Sequence, residues 1–163
     1  MPRPAPAEAR SQIVDILGAC LTEARALQES LEVERHALEN QDTDGLNAVV
    51  LSKNDHAEKL GVLDQERNTL CQRWGFAAGP DQMDALMNWC DDDGAIDDRW
   101  AELMAIAAAG NALNLTNGAI IRLRQQHFET SLSVLRGVVP GSDTYGRNGE
   151  ESGDFSRRSL AEA

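Results

Sequence analysis

Apolar and small residues recur along the first part of the chain in alternating steps of four and three: Ile13, Leu17, Cys20, Ala24, Leu27, Leu31 and Leu38. One charged residue, Glu34, interrupts the series. This is a heptad stripe, and with no proline after Pro6 it predicts a helix over about 7–40. Pro6 suits the helix start, where its missing N–H leaves no bond unmade. The pattern breaks at Asn40-Gln41-Asp42-Thr43. Asp42 or Thr43 can cap a second helix, with Asp44 in its first turn. A second stripe follows at Leu46, Val49, Lys53, His56, Leu60, Leu63, Arg67, Leu70 and Trp74. It predicts a helix over about 43–74, ended by Gly75 with Gly79-Pro80 beyond.

Two long helices joined by a short connection run antiparallel. Folding the chain about positions 43–44 sets Ile13 against Trp74, Leu17 against Leu70 and Ala24 against Leu63. It also sets Leu27 against Leu60 and Leu38 against Val49. The charged members Glu34 and Lys53 then share a layer. Two readings of that pair stay open. It is either a partly exposed ion pair worth roughly 0–1 kcal/mol, or a polar position that fixes register.

A short helix is expected over about 81–90, with Met83, Leu86, Met87 and Cys90 on its apolar face. Asp91-Asp92-Asp93-Gly94 ends it, and Asp97-Asp98 follow. A calcium loop needs its acids on alternate positions and a glutamate at loop position twelve. Consecutive aspartates do not supply that, so the run reads as a solvated loop whose charge favours the next helix start. The last helix is predicted over about 96–138, anchored by Trp100, Leu103, Ile106, Leu113, Ile120, Ile121, Leu123, Phe128, Leu132 and Leu135. Its centre carries Asn111, Asn114, Asn117 and Gly118, an unfavoured choice for a helix interior. These asparagines form either a polar layer that sets helix register or a contact face for a partner. From Gly137 onward glycine and polar residues dominate, a composition that cannot bury enough apolar surface to fold alone. The tail still carries Tyr145, Phe155 and Leu160 as docking points. The expected fold class is therefore all-α: an elongated antiparallel bundle of three long helices plus one short helix. The helical domain would span 1–138, with a disordered tail at 139–163.

Composition narrows the function. Hydrophobic residues make up 42% and aromatics only 4%, which suits a Leu/Ala bundle better than a β-sandwich. A formal charge of −12 repels phosphate backbones and anionic membranes, so neither nucleic acid nor membrane insertion is expected. No run of 18 residues is wholly apolar, so no transmembrane helix is expected. The N-terminal Pro-Ala stretch is not a secretory signal, which points to the cytoplasm. Cys20, Cys71 and Cys90 form no CxxC pair and read as reduced core thiols. None of the sequence motifs of nucleotide, zinc or serine-hydrolase sites is present. His36, His56 and His127 lack the glutamate three residues earlier that di-iron bundles use. A binding protein is expected, with no catalysis, no cofactor and no metal.

The order of features carries a resemblance. Glu34 on the first helix, Asp42-x-x-x-Leu46 at the turn, and Lys53 then Arg67 on the second helix come first. Trp100-x-x-Leu103, Asn114-x-x-Asn117-Gly118, Leu135-x-Gly137 and Tyr145-Gly146-x-x-Gly149 follow. The chain thus resembles the FlgN family of flagellar export chaperones from about Leu17 to Gly149; the run from Met83 to Asp98 carries no family signal. The resemblance implies a chaperone that binds hook-associated flagellar proteins through their terminal helical segments. It would keep them unassembled in the cytoplasm and deliver them to the type III export apparatus. Two contact regions are expected. One is the last helix, through Asn114, Asn117, Gly118, Ile121, Phe128, Leu132 and Leu135; the other is the tail around Tyr145. The alternative is a structural helical-hairpin protein that assembles with itself through the same seams, and weak self-association fits either reading.

Overall fold

The computed structural model of the protein describes residues 4–137, and the expected tail with Tyr145, Phe155 and Leu160 lies outside them. Among the described residues there are four helices and no strand: α1 (Pro6–Asn40), α2 (Thr43–Arg73), α3 (Gln82–Cys90) and α4 (Ala95–Leu135). The chain divides into two compact units, Met1–Leu123 and Arg124–Ala163.

The α1–α2 turn is fixed by its caps. Gln41 takes the left-handed conformation at φ 57°, and its N–H reaches back to the Leu38 carbonyl. The next amide, of Asp42, donates to the Ala37 carbonyl at 2.9 Å, closing the end of α1. Asp42 then caps α2: its Oδ1 accepts from the Gly45 amide at 2.9 Å. A Cβ on residue 45 would sit 2.3 Å from the Asp42 carboxylate, so glycine is what lets the cap close. The aspartate run before α4 works in the same way. Asp91 accepts from the amides of Ile96 and Asp97 at 3.0 and 2.9 Å, and Asp93 from Ala95 at 3.2 Å. These carboxylates satisfy helix amides that have no carbonyl partner. At the other end α4 stops at Leu135, three residues short of the sequence expectation. Gly137 turns to φ 73° there, its amide bonded to the Val134 carbonyl.

Cross-helix contacts fix direction and register within the first unit. Glu23 faces His56, Ser30 faces Ser52, and Glu34 faces Lys53, so α2 runs back along α1. Arg10 pairs with Asp93 and Arg25 with Glu102, while Asn117 bonds to Glu34, so α4 runs in the same direction as α1. The core is thickest at the end where α3 packs. There Ile13, Leu17, Cys20, Cys71, Trp74 and Phe76 meet Met83, Leu86, Cys90 and Ile96. Every member of the α1 stripe except the half-buried Leu27 is buried, Glu34 included.

Burial pushes the thiols of Cys20, Cys71 and Cys90 above the ordinary cysteine pKa, because the charged thiolate loses its hydration. The thiolate is the reactive form. Iodoacetamide should therefore label the native protein slowly and the urea-unfolded protein at all three sites, read by intact mass. Rapid native labelling would contradict this packing.

The composition of α4 bears on one sequence expectation. Although no 18-residue run is wholly apolar, α4 is long and apolar enough, by length and composition, to cross a membrane, with a window of mean hydropathy 1.2. Leucine, isoleucine and many alanines outweigh the asparagines in that average. From Leu103 to Ile121 it holds no charged residue at all. It is nonetheless tied to the bundle by a buried hydrogen-bonded asparagine, described next.

Candidate partner-binding surface

α4 is the most apolar of the long helices, and few of its residues are buried: Ile96, Leu103 and Asn117. Asn117 is 1% exposed and sits where α4 crosses the Glu34 layer. Its Nδ2 donates to the Leu31 carbonyl at 2.9 Å and to Glu34 Oε2 at 2.8 Å. Glu34, 2% exposed, accepts on its other oxygen from Lys53 Nζ at 2.5 Å. One carboxylate thus ties three helices together. The amide orientation follows from its neighbours, since turning it over would set oxygen against the Leu31 carbonyl and the Glu34 carboxylate. Asn117 Oδ1 has no hydrogen-bond partner among the described residues.

The asparagine series therefore divides. Asn117 belongs to an internal polar layer and is not available to a partner, while Asn111 and Asn114 are exposed. Gly118 follows directly, half-buried, and Ile121 is 37% exposed. In the second unit Phe128 is 65% and Leu135 82% exposed, and Leu132 is half-buried. Within the second unit Phe128 and Leu135 are seven residues apart, which places them on one helix face. Tyr145 lies outside the described residues.

A second polar cluster was not legible beforehand except as one charged stripe position. The buried Arg67 donates from Nε to Asp64 at 2.9 Å and from Nη1 to Gln82 Oε1 at 3.1 Å. Its guanidinium carbon lies 4.9 Å from the centre of the Trp100 ring. Gln82 in turn donates to Asn68 Oδ1 and the Phe76 carbonyl. Arg67 so joins α2 to the start of α3 and to α4. The only sequence sign of this was a cation on an apolar stripe.

Between α2 and α4, above a floor of α1, an open groove of about 500 Å³ remains. Ala24, Leu27 and Leu31 form its floor; Ala57 and Leu60 line one wall, and Ile106, Ala107 and Gly110 the other. Asn54, Asn111 and Asn114 stand along its edges, with Lys53 at one end.

Among the described residues no group of three or more His, Cys, Asp or Glu side chains could hold a metal ion. His56 Nδ1 lies 2.7 Å from Glu23 Oε2, a cross-helix contact. The thiols lie inside the core. What the geometry offers is a helical scaffold, tied internally by polar layers, that presents exposed apolar residues on α4. The family model described as FlgN protein matches residues 9–153. The chain belongs to the FlgN family, and it is a flagellar export chaperone in that general sense. No curated protein and no solved structure matches the chain.

Proposed function

We propose that this chain binds hook-associated flagellar proteins through their terminal helical segments. It holds them unassembled in the cytoplasm and passes them to the flagellar export apparatus. The supporting observation is the pair Phe128 and Leu135, seven residues apart, apolar and exposed in the second unit of a strongly acidic chain; Ile121 is exposed in the first unit. An amphipathic cargo helix can lay its apolar face on such a pair. While bound there, that face is withheld from other cargo subunits. Leu132 adds to the contact in the second unit, Asn114, Gly118 and Ile121 offer contacts in the first, and Tyr145 is a further docking point. Asn117 serves it indirectly, by holding α4 to α1.

The test is titration of the full chain with a hook-associated protein. Full-length chain is expected to form a defined complex, and deletion from Gly137 onward to weaken it with helical circular dichroism unchanged. Unchanged affinity would remove the tail from the contact. Concentration-dependent self-assembly that ignores the hook-associated protein would replace this reading with the structural one.

A further inference from the structure

The groove between α2 and α4 has a lining that sets it apart from the rest of the surface. The chain carries 27 acidic residues, yet among the described residues none lines this groove. The one charge among its described lining residues is Lys53, whose ammonium is turned onto Glu34. The edges are carboxamides, from Asn54 and Asn111 to Asn114, which donate and accept without charge. The α4 wall from Ile106 to Asn114 covers about 12 Å of helix, enough to seat roughly two turns of another helix. Ala57, Ala107 and Gly110 keep the walls low, so an incoming backbone can approach closely.

We infer that this groove seats a helical segment of the cargo whose contacting face is apolar and whose flanks are uncharged. The inference rests on the chaperone reading above but adds a second surface, in the first unit, and a stated chemistry for its occupant. A basic helix, which the net charge of −12 would favour elsewhere on the surface, finds no carboxylate here to meet. An uncharged helix with an apolar ridge leaves no charge stripped of water against Leu27, Leu60 or Ile106.

The test titrates the full chain with a peptide of a hook-associated protein's terminal helix, at low and high sodium chloride. Two variants accompany it: Ala107→Trp, which fills the groove, and Asn111→Glu, which puts a charge on its edge. Both positions are exposed, so the fold is not at stake. Wild-type affinity should change by less than roughly threefold with salt, since little charge is screened. Each variant should bind at least about tenfold more weakly, with melting temperature and circular dichroism unchanged. If both variants bind like wild type while Phe128→Asp does not, the groove is overturned and the chaperone reading stands. If the wild-type chain binds no such peptide, that reading falls and the groove proposal with it. A steep loss of affinity with salt overturns the uncharged occupant.

Discussion

Replacing Lys53 with methionine is expected to destabilise the bundle by about 3 kcal/mol, the low end of the range for breaking a buried ion pair. The Glu34 side chain is 3% exposed and that of Lys53 21%, so the carboxylate depends on its partners while the ammonium keeps some access to water. Without Lys53, the buried Glu34 carboxylate keeps Asn117 as its donor among the described residues. The double variant Glu34→Leu with Lys53→Met removes both charges. It should recover most of the loss, ending within about 1 kcal/mol of the parent, because well-packed apolar groups replace buried ion pairs at little net cost. Asn117 still donates to the Leu31 carbonyl in that variant. Urea denaturation of the two single variants and the double variant gives the coupling directly. A neutral Lys53→Met would show that the pair carries no such weight.

This layer also marks where sequence reading succeeds. Glu34 and Lys53 were placed in one layer from heptad counting alone, and the ammonium and carboxylate meet there. The caps at Asp42 and along the aspartate run were legible for the same reason. Both depend on contacts within a few residues, which local residue choice controls. Asn117 shows where such reading stops. Asn114 and Asn117 are three residues apart and so about 60° apart around the helix, yet one is exposed and the other buried. Periodicity assigns residues to a face; it does not say what covers the face. On α4 the difficulty is greater, because Met104, Leu115 and Leu123 are exposed as well as Ile121 and Phe128. A helix apolar on several sides gives no moment that selects its buried side. Arg67 is a further case. Its place on the stripe was plain, but its partners Gln82 and Trp100 come from α3 and α4, whose approach no local pattern encodes. The groove between α2 and α4 depends on three helices at once; the mostly small residues from Ala105 to Gly110 signal close approach along α4, but not which helices form the other walls.

Because Phe128 is 65% exposed, its replacement by aspartate should separate stability from binding. A phenylalanine inside a core costs about 3–5 kcal/mol on truncation to alanine. Here most of the ring already faces water, so the melting temperature of the free chain should hardly move. Binding is a different matter if the ring is an anchor for a cargo helix. Loss of a buried aromatic anchor typically weakens an interface by about 2 kcal/mol or more, some thirtyfold in dissociation constant. A carboxylate in its place adds the cost of stripping a charge of water against an apolar partner. The control is Val134→Asp, at a position 60% exposed in the same unit and about 120° around the helix from Phe128. If only the Phe128 variant loses hook-associated protein, the contact follows one helix face. If both variants lose it equally, acidity of the helix as a whole is responsible. If neither does, cargo is held elsewhere, and the pair Phe128 and Leu135 is no part of the site. The distinction matters physically, because an apolar residue already exposed in the free chain can be covered by a partner helix without first breaking a core contact of its own.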